Sequence, residues 1–358
     1  MNQTIDGGQS STAARSRVGA WMAEHQRPVQ IGLAAAWVAG LTYFFIQRGI
    51  LLSRDWVFFW LVTGLLVLSV ANFDRWLRGI VFDWLPFALI LFLYDWVRGV
   101  TDRLHMQIHV LPAIKADKAM FGTPIPNIWF QEHFYKDPPH PGWWNYPAFG
   151  IYLTHFFATL IIAAVLWKVA YPKFKRWRNM VVALFTAGLA TYILYPAAPP
   201  WWASEHGYLS FGIRKVISDL WNHFGIHAAQ AAFEHNSAFV NDTAAIPSLH
   251  AAYPMLMFLF FWSTKKLWVR LLTGTYVLAM AVTLVYTGEH YVIDILLGWW
   301  YAIVVFTVVT FAERAIARRR ERRAPAHAAP APALSGAGAN GGPAGPDAEP
   351  VTTYSSTE

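Results

Sequence analysis

The sequence predicts an all-helical, polytopic membrane bundle of about eight spans, and three observations carry that prediction. The chain is 56% hydrophobic and only 14% charged, where an average soluble domain is about 25% charged. Its apolar residues fall in runs that approach the ~20 residues a membrane-crossing helix needs. Its Lys and Arg residues gather in connections beside those runs, where membrane proteins keep their cytoplasmic anchors.

Taken in order, residues 1–28 are polar, with Gly, Ser and Arg, and read as a disordered cytoplasmic N-terminus. No small-residue cleavage site follows the first apolar run, so that run reads as a retained span. Residues 29–79 hold two additional N-terminal spans, Gln30–Gln47 and Trp56–Asn72. Residues 80–313 hold a six-span core: Ile80–Arg98, Ala148–Ala170, Met180–Tyr195, Ile246–Trp262, Leu267–Tyr286 and Tyr291–Phe311. Residues 314–358 are basic and then rich in Ala, Pro and Gly. With nothing to bury, that tail is expected to be disordered and cytoplasmic.

Orientation follows from the basic connections. "YPKFKRWRN" (Tyr171–Asn179), "STKKLWVR" (Ser263–Arg270) and "ERAIARRRERR" after the last run all belong on the cytoplasmic side. An even number of spans puts both termini there. Two long connections, Gly99–Pro147 and Pro196–Ala245, and the short turn Thr287–His290 then share the non-cytoplasmic face. Long loops are uncommon unless they are functional.

The absence of Cys excludes disulfides, a thiol nucleophile and thiolate metal sites. The net charge of +7 is carried beside the apolar runs, so no nucleic-acid partner is expected.

Two stretches on the shared face bring ionisable groups to apolar runs. In "EHYVID", His290 and Asp294 are four residues apart, one helical turn on one face. A carboxylate there fixes the imidazole tautomer and raises its basicity, which suits a nucleophile or base. An aspartate inside a span is costly and is by default a functional candidate. In "IPSLHAAYP", Pro247 and Ser248 suit a helix start, and His250 falls in the first turn, beside any anion held by free N–H groups. His250 can then protonate a leaving oxygen. Pro254 is expected to kink that span. Each stretch alone also reads as a polar cap that binds nothing. Together they pair a nucleophile with an acid.

"PSLH" followed by "HYVID" resembles the second and third signatures of the type 2 phosphatidic acid phosphatase superfamily. Leu249, where the superfamily usually has glycine, and "APPWW" (Ala198–Trp202) resemble its inositol phosphorylceramide synthase branch. The resemblance extends from Ile80 to Phe311. It implies that His290 is a nucleophile forming a phosphohistidine, that Asp294 orients it, and that His250 is the general acid. It further implies that Ser248 and nearby amides hold phosphate oxygens, and that no metal or other cofactor takes part.

The chain departs from the superfamily where phosphate-clamping cations belong. Thr283 and Leu284 stand at the Ser-Arg positions of the third signature, and "LYPAAPPWW" has no basic residue. A phosphoryl transition state needs such charge. Arg98, Arg103, Lys115, Lys118, Arg214 and Lys215 are the replacement candidates. The sequence reads as a lipid phosphotransferase that takes a phospholipid donor and an alcohol or lipid acceptor at the plasma membrane, with inositol phosphate as the head group the resemblance implies. The rival readings are a lipid phosphate or prenyl diphosphate phosphatase, with water as acceptor, and an inactive membrane scaffold.

Overall fold

The computed structural model describes residues 25–48, 54–68, 78–89, 93, 107–136, 141–223 and 243–323. It divides into two units, Met1–Ala312, which carries the bundle, and Glu313–Glu358. The helices are α1 (Gln26–Arg48), α2 (Arg54–Leu68), α3 (Leu111–Phe121), α4 (Pro126–Phe134), α5 (Asn145–Val169), α6 (Tyr171–Leu194), α7 (Pro200–Glu205), α8 (Val216–His223), α9 (Leu249–Phe261), α10 (Leu267–Tyr286) and α11 (Val292–Arg323). A π-helical segment, Gly79–Trp84, precedes α3. Among the described residues the only β-pairing is two isolated bridges, His109 to Ala197 and Ala197 to Ala244.

Among the described residues, α1, α5, α6, α10 and α11 are long and apolar enough to cross a membrane. The chain is an integral membrane protein of all-helical architecture. The expected span Ile80–Arg98 is described only to residue 89, and the remainder of it lies outside the described residues apart from residue 93. α9 has 13 residues, about 20 Å at 1.5 Å per residue, less than the ~30 Å hydrocarbon core. Residues 245–248 therefore enter as irregular backbone, and their polar groups are paired inside the protein: Ala245 N–H to Ala197 O, Ser248 N–H to Asp294 O, and Tyr192 Oη–H to Pro247 O at 2.7 Å. Such backbone is tolerated at depth only when buried in protein.

Two boundaries differ from the sequence reading. α6 starts at Tyr171, nine residues before Met180, with Pro172 in its first turn. The basic stretch is helical because Phe174 and Trp177, three apart, are completely buried in the main core with Trp84, Trp167 and Met180. Its Arg178 pairs with buried Asp83 at 3.2 Å, and Asp83 also accepts from Trp167 Nε1 and Tyr171 Oη, each at 2.9 Å. At the other end, residues 314–323 were expected to begin a disordered tail. They are helical, the last turns of α11. Ala, Glu and Arg are good helix formers, and a basic last turn complements the helix dipole. Residues 324–358 lie outside the described residues.

The two long connections are not structureless. The first carries α3 and α4, and the second carries α7 and α8. His109, Ala197 and Ala244 tie them together: His109 N–H donates to Pro196 O, Ala198 N–H to His109 O, and Ala197 N–H to Thr243 O.

Candidate active site

α10 ends at Tyr286, and Gly288 reverses the chain with φ +77°. A side chain there would strain the backbone and would lie 2.8 Å from the Arg214 carbonyl. Glu289 N–H then returns to Leu284 O at 3.1 Å, closing the helix end. This turn delivers His290 to the head of α11, which carries Asp294.

Four groups around the turn hold it. Asp117 of α3 is fully buried and accepts from Val292 N–H at 2.9 Å and Ile293 N–H at 3.0 Å. It therefore caps α11 from a different element. Asp294 Oδ2 accepts from Tyr291 N–H at 3.0 Å. Asn127 of α4 donates to Val285 O and His290 O at 2.9 and 3.0 Å. Gln131, one turn later, donates to Tyr286 O and Arg214 O and accepts from Arg214 N–H. All of these bonds are to backbone, so α3 and α4 fix the path of the chain rather than any one side chain.

On the facing element, Ser248 is the N-cap of α9. Its Oγ accepts from Ala251 N–H at 3.2 Å. Pro247 thus stands before the cap rather than in the first turn, and the helix continues through Pro254 as one element. α9 and α11 approach closely because residue 298 is glycine: a Cβ there would lie 2.3 Å from Ser248 O. Leu249 fits for a similar reason. A Cβ on Gly188 of α6 would meet its Cδ2 at 2.9 Å, so the glycine makes the groove in which Leu249 lies.

The result is a row of groups in which His290 and Asp294 are buried and His250 is half-buried. His290 Nδ1 is 3.5 Å from Asp294 Oδ2, and His290 Nε2 is 3.4 Å from His250 Nδ1. A His290 tautomer with its proton on Nδ1, toward the carboxylate, would leave the Nε2 lone pair facing His250 Nδ1. Both separations are long for hydrogen bonds, as catalytic contacts often are without substrate. Burial pushes the His290 imidazole down to about 3, offset in part by the Ala245 carbonyl, so it is neutral near pH 7.

A third imidazole joins the row. His155 of α5 packs against His250 with ring centroids 3.9 Å apart and planes tilted by 32°, and Tyr152, one turn earlier, stacks on the same ring at 5.1 Å. Sequence reasoning missed His155, Asp117, Asn127 and Gln131. The signal for His155 was an ionisable residue inside the run "GIYLTHFFATL". For Asn127 and Gln131 it was two amides four apart on an otherwise aromatic helix.

The expected cations are elsewhere. Lys115 and Lys118 are exposed on α3. Arg214 is exposed and lines a polar surface pocket of about 620 Å³ with Lys215, Glu205, Ser204 and Asp219. Lys215 lies over the Trp201 ring at 4.2 Å. Arg98 and Arg103 lie outside the described residues. Leu284, at a superfamily arginine position, is fully buried among Met280, Val285 and other apolar groups, where no cation belongs. Among the described residues no group of three or more His, Cys, Asp or Glu side chains is arranged to hold a metal ion.

The fold and the paired histidines define a class: a membrane-embedded enzyme of phosphoryl transfer or hydrolysis. The chain belongs to the PAP2 superfamily, whose pattern matches residues 128–308. It is also similar to the phosphoinositol dihydroceramide synthase of Bacteroides thetaiotaomicron, 27% identical over 225 residues, which cover 60% of this chain and 71% of that protein. No solved structure matches it significantly. The matched region takes in His155, His250, His290 and Asp294 and leaves out α1, α2 and α3.

Proposed function

We propose that this protein moves a phosphorylated head group, inositol phosphate, from a phospholipid donor to an alcohol or lipid acceptor through a phosphohistidine at His290. The observation that carries the reading is the row Asp294–His290–His250, with His290 Nδ1 3.5 Å from Asp294 Oδ2 and His290 Nε2 3.4 Å from His250 Nδ1.

Substrate entry parts the two rings. His290 Nε2 attacks phosphorus, a P–N bond forms, and the P–O bond to the donor lipid breaks. The departing alkoxide takes a proton from His250, which acts as the imidazolium beside the anionic phosphate and becomes neutral. Asp294 stabilises the positive charge that His290 acquires. In the second half the acceptor hydroxyl returns its proton to His250, its oxygen attacks phosphorus, and the P–N bond breaks. The proton is recycled, so the transfer needs no outside acid or base. Ser248, beyond its capping role, stands beside this position, and the first N–H groups of α9 favour an anion there.

Inositol as head group draws support from the named relative and from the polar pocket at Arg214, whose backbone packs on the Gly288 turn. The basic start of α6, around Lys173, and the basic connection around Lys265 support a cytoplasmic location for the ends of the helices opposite His290, with both termini cytoplasmic and the site on the other face. A plasma-membrane location is part of the same proposal.

The test is purified protein in lipid with labelled phosphatidylinositol and a ceramide-like acceptor. Transfer that disappears in His290→Ala supports the reading. Release of free phosphate from phosphatidic acid or a prenyl diphosphate, with no transfer, moves the protein to the phosphatases. Silence with every donor withdraws the substrate proposal.

A further inference from the structure

We propose that His155 is a third substrate-binding histidine, donating from Nδ1 to a non-bridging oxygen of the transferred phosphate. This rests on the phosphoryl-transfer reading above and names the group that takes over part of the missing cationic clamp.

Three observations lead to it. First, the positions where the superfamily carries basic residues are apolar here, and Leu284 is sealed in the core. Lys115, Lys118 and Arg214 are exposed, whereas the charge of a phosphoryl transition state must be met inside the site. Second, His155 is inside it: its ring lies 3.9 Å from the His250 ring, which in turn faces His290. Third, His155 Nδ1 is buried with no hydrogen-bond partner among the described residues, and so is His250 Nε2. A buried polar atom left unsatisfied costs about 1–3 kcal/mol. Ring packing alone does not account for that expense, since phenylalanine, present at both following positions, packs as well without it. A tetrahedral phosphate entering between His290 and His250 brings several acceptor oxygens to the imidazole adjoining His250. The contact is therefore made with substrate bound, through a nitrogen that no described residue satisfies.

The experiment compares wild type with His155→Phe, which keeps an aromatic face and removes the donor, and His155→Gln, which keeps a donor. Each is measured for head-group transfer and for the rise in melting temperature with inorganic phosphate. The proposal expects transfer by the Phe variant to fall about a hundredfold or more, the usual effect of losing one oxyanion donor. It expects the Gln variant to retain more activity, and the phosphate-dependent rise to vanish only in the Phe variant. If Phe fails to fold, ¹⁵N-histidine spectra of wild type decide. The resonance that disappears in His155→Gln must shift when phosphate is added. A Phe variant with wild-type transfer and an unchanged phosphate response overturns the proposal, as does a wild-type His155 resonance that phosphate leaves in place. Should wild type transfer no head group from any donor, the functional reading falls, while the phosphate measurements still decide the role of His155.

Discussion

Gly298→Ala sets two physical effects against each other at the contact that brings the site together. Within a helix, replacing glycine by alanine stabilises by about 1 kcal/mol through backbone entropy. The added Cβ would lie 2.3 Å from the Ser248 carbonyl oxygen and 3.5 Å from Ala252 N. Ordinary contact begins at 3.4 Å, so α9 and α11 must separate by 3.4 − 2.3, about 1 Å. The obstacle is backbone and cannot rotate away. Overpacking of this kind costs about 1–3 kcal/mol, so the steric term outweighs the propensity term. The separation falls on Ser248, two residues from His250, while His290 and Asp294 stay with α11. A misplacement of about 1 Å costs on the order of 10²-fold in rate. The assays are thermal unfolding in detergent and kcat for head-group transfer. The reasoning expects a lower melting temperature and a kcat reduced about a hundredfold, with a smaller change in KM. A variant that is more stable than wild type and equally active would refute it.

Other expectations follow from the same geometry. Asp117→Ala removes two hydrogen bonds that the fully buried Asp117 makes to the head of α11; unfolding should show a loss of about 2 kcal/mol, and Asp117→Asn, which keeps one acceptor, should lose less. His290 is held neutral down to about 3 when folded, against 6.5 ordinarily, so between those values the unfolded chain binds the extra proton. Its contribution to stability is present above about pH 6.5 and is lost as pH falls toward 3; melting curves across that window should be flatter for His290→Gln. Gly188→Leu fills the groove that Leu249 occupies and should destabilise by about 1–3 kcal/mol, with partial rescue by Leu249→Gly, a coupling that a double-mutant cycle measures.

Legibility in the sequence followed periodicity and failed where tertiary contacts decide. His290 and Asp294 could be paired because a helical turn of four residues needs no partner element, and Ser248 could be placed at a helix start from its residue type. His155 could not be joined to them, since nothing in an apolar run says which neighbouring helix it faces. Asp117, Asn127 and Gln131 act on backbone groups more than 150 residues away in chain order, a relation with no local trace. The start of α6 was misread because four basic residues in Tyr171–Arg178 outweighed Phe174 and Trp177, the two that the core captures. Leu249 read as a branch marker, and its physical reason became visible only with Gly188 beside it.

The central claim is that His290 carries the phosphoryl group. The direct measurement is to quench the purified protein during turnover with a donor labelled at phosphorus, digest it, and locate the label. The account predicts an acid-labile, base-stable phosphoramidate on the peptide containing His290, formed in wild type and in His250 variants that slow its breakdown, and absent from His290→Ala. Label found on another residue, or transfer that persists at the wild-type rate in His290→Ala, would contradict it.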